Sequence, residues 1–182
     1  MSGKITDKTT RYKSGFEPDL FVPKDFSPHR YALGKKGCNP LVTICMNPSA
    51  ARDTESDRTI NRIISVSEKL NSDGWIVFNL YPERATNAIK MDSFKSELLK
   101  ENLKTIRKFL KDNNISEVWG AWGDNRFNLK ALNEGKDQLL KMLSEIGVKV
   151  FYFGTLTRKG NPRHPLQRHE KWDLSNKEYL EL

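Results

Sequence analysis

The chain is poor in cysteine, with Cys38 and Cys45 the two in 182 residues. They show no metal-ligand spacing, and Cys45 sits in an apolar run. Both are expected as free, reduced thiols, which fits a cytoplasmic protein. No apolar run approaches the roughly 18–20 residues needed to cross a bilayer, so no membrane partner is expected. Residues 1–11 are polar and lack the apolar stretch of a secretory signal. No Walker loop is present, and no GxGxxG follows the first strand. A serine elbow, CxxC and HExxH are also missing. His164 and His169 have no third ligand nearby in sequence. Neither a metal nor a cofactor is expected.

Hydrophobic residues make up 37% and charged residues 30%, the balance of a globular chain long enough for one real core. The formal net charge is +8 and the isoelectric point is near 9.5. A basic surface attracts nucleic acid, or an acidic protein that imitates it. A lysine-rich solvated surface has the same composition, and charge alone does not separate the two. The C-terminal part concentrates the charge, with Arg158, Lys159, Arg163, Arg168 and Lys171 interleaved with His164, His169 and Trp172.

Periodicity divides the chain into one domain over residues 31–172, an irregular aromatic- and proline-bearing arm over 1–30, and a tail over 173–182, expected as a short helix or frayed. Strands are predicted near residues 31–33, 41–46, 75–80, 118–122 and 148–153. Apolar positions at Ile60, Ile63, Ile64, Val66 and Leu70 predict a helix over 57–70, capped by Thr54 or Ser56. A second helix opens at Asp92 or Ser93. A third spans 127–143, with Gly135 a candidate break. Strands alternating with helices predict an α/β fold: three layers, with a central four-stranded, mostly parallel sheet flanked by helices.

Each core strand ends in polar residues or glycine: Asn47-Pro48-Ser49, then Asn79-Leu80-Tyr81-Pro82, then Gly123-Asp124, then Gly154 and a loop to Arg163-His164-Pro165-Leu166. In a parallel sheet these ends share one edge and converge on one crevice. Each also has a plain structural role. Asn before Pro bonds loop backbone, strand-end Asn caps, glycines permit turns, and Trp119 and Trp122 pack in cores. Their joint occurrence points to a site.

The run Met46-Asn47-Pro48-Ser49-Ala50, then Asn79-Leu80, Arg84-Ala85-Thr86, Trp119-Gly120 and the segment Gly160-Asn161-Pro162-Arg163-His164-Pro165-Leu166 resemble an uncharacterised bacterial and phage domain family carried on mobile elements. The resemblance covers about residues 28–168. More distantly, the same order resembles the uracil-DNA glycosylase superfamily. That resemblance implies a parallel four-stranded sheet between helices. It also implies that Asn47 positions a water, Asn79 reads a base edge, His164 stabilises the leaving base, and Leu166 wedges into DNA. The implied pocket comprises Met46, Pro48, Ser49, Asn79, Tyr81 and Trp122. Arg84, Arg158, Lys159, Arg163, Leu166 and Arg168 are its implied contacts to DNA or to an acidic partner.

The chain departs from that superfamily where the chemistry is most demanding. It lacks the Gly-Gln-Asp-Pro-Tyr motif with its carboxylate and tyrosine. Ser49-Ala50 follows Asn47-Pro48 where a glycine is usual, and the last motif lacks its second proline. The resemblance therefore implies a monomeric glycosylase-like protein with a degenerate site. It would bind DNA or an acidic DNA-mimic inhibitor protein without catalysis. An active DNA glycosylase and an enzyme on free nucleosides or nucleotides are the alternatives.

Overall fold

The apolar run at 40–45 is bounded by a Gly-rich turn before and by Asn-Pro after, and it forms the centre of a sheet. The computed structural model describes residues 9–167 and 172–182. In chain order the strands are β1 (Thr9–Arg11), β2 (Leu20–Val22), β3 (Ala32–Lys35), β4 (Pro40–Cys45), β5 (Glu55–Asp57), β6 (Gly74–Asn79), β7 (Glu117–Gly120), β8 (Lys149–Tyr152) and β9 (Glu178–Tyr179). The helices are α1 (Arg58–Lys69), α2 (Ser96–Asp112) and α3 (Lys130–Glu145), with a short 3₁₀ turn at Ala88–Lys90.

The sheet has seven strands in the order β2-β3-β6-β4-β7-β8-β9. Its centre, β6-β4-β7-β8, is parallel throughout. Antiparallel β3 and β2 extend one edge and β9 the other. The expected four-stranded parallel sheet is thus the middle of a larger mixed one. Of the added strands, β3 matches the strand expected near residues 31–33, whereas β2 and β9 come from short apolar stretches near the chain ends that carry too little pattern to declare themselves. The N-terminal segment, expected to be irregular, supplies β1 and β2. The tail, expected as helix or frayed, supplies β9, held by Lys177 pairing with Glu117.

Alternation along the strands splits the core into two layers. Leu41, Cys45, Trp75, Val77 and Trp119 pack with α1. Val42, Ile44, Ile76, Phe78 and Val118 pack with α2 and α3. The chain leaves β4 for β6 on one side and later crosses to β7 on the other. The carboxyl end of β4 is therefore the switch point where open α/β sheets leave a crevice.

Helix starts differ from expectation for local reasons. Residues 55–57 are extended because β5 pairs with β1, so the cap of α1 falls on Asp57, whose Oδ1 accepts from Ile60 N at 3.0 Å. Before α2, the Lys95 N–H donates to Tyr81 Oη at 3.0 Å, a cap supplied from another element. α3 runs unbroken through Gly135. A Cβ there would sit 2.2 Å from the Leu80 carbonyl oxygen, so glycine marks a close approach of helix to strand rather than a break. Among the described residues no helix is long and apolar enough to cross a membrane.

Candidate functional site

A cavity of about 440 Å³ opens over the carboxyl ends of β4 and β6, on the α1 face of the sheet. Its walls include Cys45, Met46, Asn47, Ser49, Asn79 and His164, with Leu166 also contributing.

Asn79 is the last residue of β6. The register Cys45↔Asn79 puts it beside the end of β4, and alternation from Trp75 and Val77 turns its side chain to the α1 layer. Its backbone oxygen accepts from Asn102 Nδ2 of α2 at 2.8 Å, which fixes the strand end. The side chain is 1% exposed, and neither Nδ2 nor Oδ1 has a hydrogen-bond partner. Buried amides are almost always paired, so an orphan one on a cavity wall offers a donor and an acceptor to a ligand.

Asn47 follows β4. Its Nδ2 donates to Pro48 O at 3.0 Å and to Ala85 O at 2.8 Å. Only an amide NH2 can face two carbonyls, so the orientation is chemically fixed and Oδ1 is the atom left as an acceptor. The loop carrying Asn47 is pinned at Ala51. The Ala51 N–H donates to Asp57 Oδ2 at 3.2 Å, and its carbonyl accepts from Arg30 Nη1 at 3.2 Å and Arg84 Nη1 at 2.8 Å. Burial lowers the pKa of both guanidinia, that of Arg84 to about 10, and for Arg84 the neighbouring Arg30 and Arg52 charges add to the effect.

His164 reaches the cavity on the loop after β8. Its Nδ1 accepts from the Leu166 N–H at 3.3 Å, so the neutral ring carries its proton on Nε2. Burial pushes its pKa down to about 4, against a smaller opposing effect from Asp57. Gly123, three residues past the end of β7, has φ +71°, and a Cβ on it would lie 3.1 Å from His164 Cβ. The segment after β7 thus makes room for the histidine.

The structure brings Met46, Asn47, Ser49, Asn79, His164 and Leu166 to one cavity, and it separates the other predicted residues. Pro48 is buried behind the wall, its carbonyl taken by Asn47 and by Ala85 N. Tyr81 and Trp122 do not line this space. Tyr81 packs with Leu99, Ala131 and Leu132, and Trp122 donates to Asn161 Oδ1 at 3.3 Å on the α2–α3 side. Neither aromatic fills the cavity. Arg84 gives Nε and Nη1 to the carbonyls of Ser27, Ser49 and Ala51, while its Nη2 is buried without a partner. Arg163 binds Thr155 O, Thr155 Oγ1 and Leu156 O in its own loop. Arg158 and Lys159 are exposed. Arg168 lies outside the described residues, as do His169 and Lys171.

Lining residues that the sequence did not place at the site include the polar side chains Arg30, Asp57, Arg58 and Thr59. Asp57 carried a signal, an aspartate directly before an amphipathic helix. Arg30 carried none, because an arginine 2% exposed looks like any surface arginine until the fold buries it. Among the described residues no three of histidine, cysteine, aspartate and glutamate gather as metal ligands. The Cys45 thiol is pushed up to about 12, chiefly by burial, and is unreactive; Cys38 is exposed.

A larger groove, about 660 Å³, runs between α2 and α3 on the opposite face, with Leu103 and Met142 on its walls. Three of its cations are already paired: Lys104 with Glu101, Arg107 with Glu145, and Lys108 with Asp112. Among the described residues no orphan buried side-chain atom belongs to its lining.

A family model described as "Protein of unknown function (DUF1643)" matches residues 30–166, a span that starts and ends on residues lining the cavity over β4 and β6. No curated protein and no solved structure matches the chain.

Proposed function

We propose, for a chain that belongs to the DUF1643 family, that the cavity over β4 and β6 takes a nucleobase turned out of a DNA strand, and that the protein is a uracil-DNA glycosylase-like N-glycosylase. The observation that carries this is the orphan Asn79 amide, buried on the wall of an open cavity. An amide presents a donor beside an acceptor, which is the complement of a pyrimidine edge such as O4 and N3–H of uracil. The parallel four-stranded centre between helix layers supports the same reading.

The remaining groups fit hydrolysis of the bond from base to sugar. Asn47, its NH2 held by two carbonyls, presents Oδ1 to a water. The water oxygen adds at C1′, and the glycosidic electron pair leaves with the base. A proton from the water then neutralises the base, giving free base and an abasic sugar. His164, neutral at pH 7 with a proton on Nε2, donates a hydrogen bond to a base oxygen as negative charge develops there.

A second reading, base binding without cleavage, is favoured by one observation. Asp57 is the one carboxylate among the cavity's lining residues, and both its oxygens already accept backbone N–H groups. In that case the protein binds DNA, or an acidic DNA-mimic inhibitor, through its basic surface. Incubation with a uracil-containing oligonucleotide, followed by alkaline cleavage of abasic sites, tests the first reading. Strand breaks that vanish in Asn79→Ala and Asn47→Ala support it. Uncleaved strand that is nevertheless retarded in a gel supports the second. Neither cleavage nor retardation at micromolar protein refutes the first reading and the DNA-binding form of the second; absence of a complex with an acidic DNA-mimic inhibitor in a pull-down at the same concentration refutes the rest.

A further inference from the structure

A second recess, about 350 Å³, adjoins the base cavity and is lined by Arg58, Asn61, Arg62 and Leu166. Arg58 and Leu166 line both spaces, so the two lie side by side with these residues as their shared wall. Arg58 and Arg62 are four residues apart on α1, one turn, with side chains about 6 Å apart on the same helix face. Arg62 Nε is buried without a hydrogen-bond partner. Among the described residues no carboxylate pairs with either guanidinium. The first turn of α1 contains no acidic residue. Its cap serves the Ile60 N–H, which leaves those of Arg58 and Thr59 without an intrahelical acceptor at the cavity rim.

We propose that this recess is a phosphate track: Arg58 and Arg62 hold the phosphodiester backbone beside the nucleotide whose base enters the cavity. The ligand is then a nucleic acid strand rather than a free nucleoside. The inference rests on the base-binding reading for its register, while the track has its own signature. Two guanidinia with no ion pair among the described residues, side by side on one helix face, suit bidentate contact with phosphate oxygens, whereas the α2–α3 groove's one guanidinium, Arg107, is already paired with Glu145. The buried, unpartnered Asn79 amide in the adjoining cavity supplies an independent reason for a ligand to lie across this end of α1.

Fluorescence anisotropy tests the track, using two labelled single-stranded oligonucleotides of equal length, one with a central uracil and one without. Each phosphate contact on a single strand contributes about 0.7 to the slope of log affinity against log salt. Arg58→Gln/Arg62→Gln is expected to flatten that slope by about 1.4, so that between 50 and 200 mM salt its affinity falls about sevenfold less than that of wild type. Lys104→Gln/Lys108→Gln, on the opposite groove, is expected to keep the wild-type slope. Thermal unfolding verifies that both variants fold. Asn79→Leu keeps the slope and loses any preference for the uracil strand. A slope that depends on the arginines with no uracil preference in wild type supports the track and removes the base reading. An unchanged slope in Arg58→Gln/Arg62→Gln overturns the track. So does a slope lost in the lysine variant, or binding of an acidic DNA-mimic protein but of neither oligonucleotide.

Discussion

Replacing Asn79 with leucine is expected to stabilise the protein while removing its ligand. Both polar atoms of the Asn79 side chain are buried and unpaired within the chain. Leaving a buried polar group without a partner costs roughly 1–3 kcal/mol, and water entering from the cavity offsets part of that. Leucine has nearly the same shape and continues the apolar face of Trp75 and Val77. A net gain near the lower figure, about 1 kcal/mol, raises the melting temperature by about 2–4 °C in a chain of this size. Circular dichroism on heating and urea midpoints measure it. The same variant is expected to bind no uracil-containing strand in preference to a control. A melting temperature below wild type refutes the reasoning, because it means the amide is satisfied in the fold and is no ligand group. Asn79→Asp separates volume from charge: a carboxylate in the same place is expected to destabilise.

Gly135→Ala sets helix propensity against packing. Alanine gains about 1 kcal/mol in a helix interior, but here its Cβ meets the Leu80 carbonyl at 2.2 Å, so a net loss of about 1–3 kcal/mol is expected in urea unfolding. Asn47→Ala leaves the Pro48 and Ala85 carbonyls without their shared donor. It is expected to cost about 1–2 kcal/mol by urea midpoint and to abolish any strand cleavage. His164 gives a pH dependence of definite sign. Its folded pKa, about 4, lies below the unfolded value, so its contribution is complete above pH 6.5. As pH falls, the unfolded chain takes a proton that the folded chain refuses. Between pH 7 and 4.5 wild type is therefore expected to lose about 2–3 kcal/mol more stability than His164→Gln, read from urea midpoints at the two pH values. Parallel losses in the two proteins refute the burial of a neutral imidazole.

How much of the site was legible follows from which residues signal locally. Asn47 and Asn79 stand out in sequence because each ends an apolar run, and the ends of parallel strands meet at one edge whatever the rest of the fold does. His164 stands out because it sits in a polar loop after the last predicted strand. The face on which a strand-end residue lies was also open to alternation: Val77 and Asn79 share parity, whereas Leu80 and Trp122 turn to the other layer. Tyr81 and Trp122 looked like pocket walls because an aromatic at a strand end serves equally as core. Here Tyr81 caps α2 and Trp122 bonds Asn161.

The sequence by itself determined the alternation of strands and helices, the parallel centre of the sheet and the edge where polar residues gather. Those follow from periodicity and from turn residues, which act over a few positions. Tertiary structure alone decided the seven-stranded mixed sheet, because β2 and β9 are too short to be recognised without the edges they complete, and the short strand expected near residues 31–33 joins the sheet as β3 only through its antiparallel pairing with β6. It alone decided that Arg84 and Arg163 serve loop carbonyls while Arg58 and Arg62 form no ion pair among the described residues, since a guanidinium's partners come from distant segments. It also buried Arg30 beneath the site and left the Asn79 amide without a partner, because burial and pairing are properties of packed neighbours and not of a residue's place in the chain.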